Sequence, residues 1–382
     1  EQGPRREEDP EPGCSTWHQR TYKEILESLL KPALSKYGRD VKIEVERADI
    51  LDLRNHTPGE TTLEFVQAMC SEAGFNFFFD QRGDVELLCI SDSEALFWDA
   101  QHIRPAPIEV DQNTTVSWRE NVWQLTNTSL ATHSAVETEG FSVASKPSVP
   151  IFGKGDGAGG SLARRIEYGK MRSTEVGDPD EQYALAARVE SDREKTAQQA
   201  FAMHSDLICT FPGAVYRLAT SPDVQRRYVV MQTEWTFASD NSVNHGLEAM
   251  STVVPLTTLG GEALRPMHQQ RPERKVPAGP VLATVVACDR KGVEVDPLNR
   301  IRIKFLYEGT SNSEHLAWAS VVLQQAGKTS AARFVPREGD RVLCQFLNGN
   351  PDEPVVIGSI CDEEFPSPRV CQDPVSYTHL RA

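Results

Sequence analysis

Residues 334–360 read FVPREGDRVLCQFLNGNPDEPVVIGSI, and the alternation inside this stretch sets the architecture expected of the chain's last third. Val342, Cys344 and Phe346 alternate with Arg341, Leu343 and Gln345, the period of two that a strand with two unlike faces requires. Asn348-Gly349 tolerates the positive φ of a reversal, and Pro351 stops the first strand from running on. Val355, Val356, Ile357 and Ile360 then supply a β-branched second strand. Pro336 and Gly339 bracket the turn that leads in. The stretch holds no nucleophile–base pair and no metal-ligand cluster, so it reads as scaffold.

Upstream the same pattern repeats. Val281 to Ala287 is one strand; Ile301, Ile303 and Phe305 oppose Arg302 and Lys304 in a second; Leu316 to Leu323 is a third. Five strands over residues 281–360 without a helix predict a small closed or partly closed barrel such as an OB fold. The preceding MHQQRPERKVPAGP, Met267 to Pro280, is polar, charged and proline-rich, a linker by composition.

Before the linker helices and strands mix. Thr21 and Glu24 form a capping box ahead of Tyr22, Ile25, Leu26, Leu29 and Leu30, and Pro32 makes continuation of that helix costly. Val41 to Glu46 alternates as a strand. Thr61 and Glu64 form a second box, followed by a stripe of Leu63, Val66, Met69, Cys70 and Ala73 and a stop at Gly74. Phe75 to Phe79 and Val85 to Ile90 read as strands joined by the loop Asp80 to Asp84. Residues Ile108 to Ser148 are β-rich, with Val116 to Trp118 and Asn121 to Leu125 as candidate strands, and Phe152 to Ser161 is a glycine-dense mobile loop. Gln182 to His204 is the third helix by its Ala, Glu, Arg and Gln content. Strands follow near Val215 to Leu218, Arg227 to Phe237 and Gly246 to Val254. Residues Glu1 to Cys14 lack apolar periodicity and read as a flexible lead-in.

The 382 residues suffice for two or three domains, with 39% hydrophobic residues. No run approaches the eighteen apolar residues of a membrane span. No signal peptide is visible, and the chain opens on Glu1. A net charge of −15 disfavours nucleic-acid binding and suits an acidic soluble surface. The eight cysteines form no C-x-x-C, and Cys70, Cys89, Cys288 and Cys344 sit in apolar patterns as buried thiols do.

Motifs for chemistry are weak. Gly155 to Gly160 matches G-x-G-x-x-G with Glu175 downstream, but Lys146 to Pro150 precedes it and no βαβ unit follows, so it reads as a loop. Gly153-Lys154 lacks the rest of a P-loop. The nine histidines, His204 and His315 among them, show no H-E-x-x-H pairing, and no serine sits in G-x-S-x-G. Arg265, Arg271, Arg274 and Lys275 read as a solvated run. The stripe Phe75, Phe77, Phe78 and Phe79 reads as core or subunit interface rather than a cofactor pocket. No catalytic, cofactor-binding or metal-ligating residue is assigned.

Several stretches together carry a family resemblance: Val295 to Phe305 (VDPLNRIRIKF), Ala317 to Val321 (AWASV), Phe334 to Val342 (FVPREGDRV) and Leu347 to Ser359 (LNGNPDEPVVIGS). They resemble the OB domain of the VgrG spike proteins of type VI secretion and of related phage tail-spike and baseplate-hub proteins. Thr61 to Ser93 resembles the hub segment of that family, in which an E-T/S-x-L/D-F-V helix leads to a G-F-x-F-F-F strand pair. The resemblance implies a mostly β chain with α+β hub domains, hub barrels followed by a five-stranded OB barrel. It divides the chain into a flexible lead-in (1–20), hub domains (21–266), a linker (267–280), the OB spike-base domain (281–362) and a tail (363–382). It further implies a homotrimer that stacks as a pseudo-sixfold ring on a hexameric tail tube protein, with baseplate proteins, a tip protein and effectors as further partners. Assembly in the cytoplasm and export by the secretion machine follow from it, with no nucleic acid, cofactor or membrane span. In the family a β-helical needle follows the OB domain; here that needle and the first hub strands are expected to be missing, and Val375 to Ala382 resembles read-through beyond a broken gene. The function so implied is structural and not enzymatic. The alternatives are a spike-borne enzyme such as a cell-wall hydrolase, a phage baseplate hub, and last a nucleic-acid-binding OB module.

Overall fold

The computed structural model describes residues 14–100, 108–110, 122–128, 130–140, 151–154, 162, 165–168, 179–207, 209–221, 224–237, 247–258, 261–268, 272, 274–286, 295–308, 316–326, 331–332 and 334–361. The chain divides into two units, one of residues 1–12, 19–52 and 60–275, the other of residues 13–18, 53–59 and 276–382.

The first unit opens on strand β1, Thr16–Thr21, whose leading residues belong to the second unit. The lead-in drawn over residues 1–20 is therefore an ordered strand from Thr16 onward. Helix α1, Tyr22–Ser35, starts at the Thr21 capping box and buries Tyr22, Ile25, Leu26, Leu29 and Leu30. It runs past Pro32, at the cost of the bond from a residue-32 N–H to the Ser28 carbonyl, and the Ser35 hydroxyl donates to the Pro32 carbonyl at 3.2 Å. Strands β2, Asp40–Glu44, and β3, Ile50–Asn55, follow. Helix α2, Thr62–Ala73, begins at the second capping box and ends on Gly74 in the left-handed region, φ 77°. Its buried face is Phe65, Val66, Ala68, Met69, Cys70 and Ala73. Leu63, counted in the predicted stripe, points outward at 64% exposure, because the inward arc is centred on Phe65 and Ala68.

Strands β4, Asn76–Asp80, and β5, Leu87–Ser91, pair antiparallel, and β2 joins β5 in parallel. Short β6, Trp98–Asp99, and β7, Ile108–Glu109, flank a larger sheet that takes up β8, Val122–Asn127. The candidate strand Val116 to Trp118 lies outside the described residues. A separate sheet has β9, Val136–Gly140, between β10, Ile151–Lys154, and β11, Arg165–Tyr168. Helix α3, Pro179–Gln198, is followed by strand β12, Phe201–Ser205. The predicted third helix, Gln182 to His204, thus stops early. Its last residues, Phe201 to His204, lie between β8 and β15 with Met203 fully buried, and that pairing outweighs their neighbours' helix propensity. Strands β13, Ala214–Ser221, β14, Val224–Phe237, and β15, Leu247–Pro255, complete a sheet ordered β6-β13-β14-β15-β12-β8.

The second unit holds a closed barrel. Its strands are β16, Val281–Val285, β17, Arg300–Phe305, β18, Ala317–Val321, β21, Arg341–Phe346, and β22, Pro354–Ile360, in the order β16-β17-β18-β22-β21. A small ribbon of β19, Gln325–Ala326, and β20, Ala331–Ala332, lies between β18 and β21 in the chain. The alternation read from the sequence sorts faces as expected. Ala283, Val285, Ile301, Ile303, Phe305, Val342, Cys344, Phe346 and Val356 form one core. Among the barrel's described pairings only β18–β22 is parallel.

Candidate functional site

The closing hairpin is the centre of the second unit's polar architecture. Asn348 and Gly349 take φ of 51° and 68°, the positive values their sequence allows. Between Leu343 and Cys344 the β21–β22 register shifts, and Ile357 is the extra residue. The turn then folds inward. Asp352, 9% exposed, accepts from Arg54 Nη1 at 2.5 Å and from the Asn55 backbone N–H at 2.8 Å. Asn55 Nδ2 donates to the Pro351 carbonyl at 3.2 Å, and Tyr307 Oη donates to Asn55 Oδ1 at 2.9 Å. The Thr16 hydroxyl donates to the Glu308 carboxyl. Burial pushes Glu308 up to about 7 against the opposing pull of the Thr16 hydrogen bond. Burial and then the Asp352 charge push Glu353 up to about 8. Leu53 packs into the barrel core beside Phe305 and Phe346. Two raised carboxyls ordinarily suggest acid chemistry. Here Glu308 meets the Thr16 hydroxyl and Glu353 lies beside Asp352 in the closing turn.

In the first unit the basic run of the linker does not lie free in solvent. Arg274 Nε meets Glu60 Oε1 at 2.9 Å, with both side chains almost fully buried, and its guanidinium stacks over Phe65 at 4.7 Å. Arg265 Nη2 donates to the Gly74 carbonyl at 2.9 Å, and Lys275 Nζ to Glu64 at 2.5 Å. Arg271 lies outside the described residues. Met267, where composition starts the linker, is buried. A solvated run is therefore corrected to an anchored one: Glu60 and Glu64, far back in sequence, supply the counter-charges that composition alone cannot show.

A cavity of about 450 Å³ is also present in this unit, lined among others by Phe75, Phe77, Phe78, Phe211, Met267 and His268. In the aromatic stripe Phe75 and Phe78 are buried and line the cavity with Phe77, whose ring lies 5.3 Å from His268, whereas Phe79 is 43% exposed and so departs from the core reading. Burial lowers the His268 pKa, so the ring is neutral there. Arg193 on the same wall is engaged by Glu190, Ser71 and the His268 carbonyl.

Gly155 to Gly160, Glu175, His315 and Cys288 lie outside the described residues. Gly153-Lys154 ends β10, antiparallel to β9. His204 sits on β12 with Nδ1 3.2 Å from Glu248. Among the described residues no group of His, Cys, Asp and Glu is placed to hold a metal, and no helix is long and apolar enough to cross a membrane. Burial pushes the Cys70 and Cys344 thiols up to about 12 and Cys89 to about 11, which keeps them protonated. The thiol reading was legible in the sequence. The Asp352 anchor was not, because Arg54 and Asp352 lie 298 positions apart.

The family described as phage tail baseplate hub matches residues 11–241, and the type VI secretion system/phage-baseplate injector OB domain matches residues 281–360. The type VI secretion system spike protein VgrG3 of Vibrio cholerae serotype O1 is 30% identical over 105 residues, 27% of this chain and 10% of that protein. The spike protein VgrG1c of Pseudomonas aeruginosa is 28% identical over 160 residues, 40% of this chain and 22% of that protein. The matched parts therefore span less than a quarter of these relatives. Among solved structures, the E. coli c3393 protein is described as a type VI secretion component similar to the T4 bacteriophage tail proteins gp27 and gp5. It superposes with a TM-score of 0.56 at 19% identity, covering 91% of this chain and 74% of that one. At that identity the likeness concerns the fold.

Proposed function

As the chain belongs to the phage tail baseplate hub family, and within it to the VgrG spike proteins of type VI secretion, we propose that it joins tail tube to puncturing tip as a structural hub and spike base. One observation carries this reading. A hub match is followed, in chain order, by an injector OB domain that closes as a five-stranded barrel. Fold alone would not suffice, but the ordered pair of domains belongs to this machinery.

The mechanism is mechanical. Sheath contraction elsewhere supplies the free energy, and this part passes axial force through closed, multiply bonded β structure that offers few frayed edges. The chain acts without catalysis, as a homotrimer on a hexameric tube protein, with baseplate proteins, a tip protein and effectors as further contacts. It assembles in the cytoplasm and leaves through the machine. Residues 21–266 serve as hub, 267–280 as connector and 281–362 as spike base. Multi-angle light scattering of the purified chain, alone and with tube protein, tests the reading. A trimer that co-elutes with tube hexamers is expected; a strict monomer that ignores them overturns it.

A further inference from the structure

Among the described residues the chain passes between its two units at 18/19, 52/53, 59/60 and 275/276. The barrel's unit is therefore built from three separate pieces of chain. Two of them, residues 13–18 and 53–59, come from far upstream of the strands they serve. Their contacts are of three kinds. Leu53, 6% exposed, is part of the barrel's apolar core, and Val276 packs on the same core. Arg54 and Asp352 form a buried ion pair, with the Asn55 N–H as second donor to that carboxylate. Asn55 also bridges the Pro351 carbonyl and Tyr307 Oη, while Thr16 bonds both Asn55 Oδ1, at 3.3 Å, and the Glu308 carboxyl.

We propose that residues 14–18 and 53–59 form a clasp that completes the barrel and holds it to the rest of the chain without help from the covalent connection at residues 277–280. A buried ion pair whose partners also hold neutral hydrogen bonds is costly to break, since removing one partner strands the other charge. The buried Leu53 adds apolar area that the barrel would otherwise expose to water. The turn of the NGNPDEP segment, Asn348 to Pro354, thereby acquires a role. Its Asp352 is the receptor for the Arg54-Asn55 pair, and Asn350 Oδ1 accepts the Asp352 N–H at 3.2 Å to fix the carboxylate's approach. This deepens the spike-base reading and rests on it only for the consequence that axial force bypasses the linker.

The test cuts the connection. A protease site inserted between Ala278 and Gly279 falls where the chain is exposed and where a side chain at Gly279 would meet nothing within 4 Å. After cleavage of the full chain, the two fragments are expected to co-elute in size-exclusion chromatography at about micromolar concentration. Arg54→Ala and Asp352→Asn should each raise the dissociation constant at least about tenfold. The exchange Arg54→Asp with Asp352→Arg should recover part of the loss. Fragments of the unsubstituted protein that separate, each with a folded circular dichroism spectrum, overturn the proposal. So does an unchanged dissociation constant in both Leu53→Ala and Arg54→Ala. A substituted chain that fails to fold before cleavage leaves the unsubstituted cut to decide. Tube binding plays no part in this measurement, so its outcome is distinct from that of the spike-base reading.

Discussion

Arg274 sits in a proline-rich, charged stretch, yet its guanidinium is enclosed between Glu60 and the Phe65 ring. Composition gave no hint of this, since the counter-charge is 214 positions away and local reading sees only neighbours. Removing one partner of such a buried pair should cost about 3–5 kcal/mol, whereas replacing both with apolar residues of similar volume should be close to neutral. Urea unfolding of Arg274→Ala, against the double replacement Arg274→Met with Glu60→Leu, measures the contrast. Lys275, one residue on and exposed, should leave the midpoint where it is when changed to Ala. Gly213 makes a sharper case for sterics. Its φ is 86°, and an added Cβ would lie 2.5 Å from the Phe78 ring. Gly213→Ala should therefore destabilise by about 1–3 kcal/mol from overpacking, with backbone strain added, and thermal unfolding should show it.

Elements differ in how far their own residues specify them. Helices α1 and α2 were legible because a capping box is a local device: Thr21 with Glu24 and Thr61 with Glu64 settle the start within one turn. The barrel strands were legible because alternation of Ile301, Ile303 and Phe305 needs only the period of a strand. Strand β12 was not, since it takes its state from β8 and β15 on either side. The barrel's unit also carries a property that no pattern reveals, a coupling to pH through Glu308 after β17 and Glu353 in the closing hairpin. Glu308 and Glu353 titrate near 7 and 8 in the folded chain, above the value of 4.5 for an unperturbed carboxyl. Between pH 4.5 and those values the folded state holds protons that the unfolded chain has released. Their contribution is therefore full below pH 4.5 and fades as pH rises through about 7 to 8. Thermal midpoints recorded from mildly acid to mildly alkaline pH should decline for the native sequence. The decline should be shallower for Glu308→Gln, which carries no charge to bury; parallel slopes would assign the pH dependence elsewhere.

At the scale of the whole molecule, the proposed trimer needs a surface on which copies meet, and the barrel's outer face offers one. Leu282 lies beside Leu343 across β16 and β21, and Arg341 pairs with Ile360 across β21 and β22. Leu282, Ile357 and Ile360 are 41%, 43% and 41% exposed. Among the described pairings β18 reaches only Val355 and Val356 of β22, so Ile357 to Ile360 is paired on the β21 side alone. Exposed apolar residues next to a half-paired strand are what an isolated protein avoids and an obligate oligomer covers. Lysine at such positions disfavours edge-to-edge and apolar association without opening a cavity, since none of the three side chains belongs to the buried core. Ile357→Lys with Ile360→Lys should then leave the thermal midpoint of the monomer nearly unchanged while the mass in light scattering falls from three chains toward one. Binding to tube hexamers should weaken in the same variant, because the proposed trimer would engage the tube through three simultaneous contacts. A variant that stays trimeric would move the interface off the barrel and onto the hub.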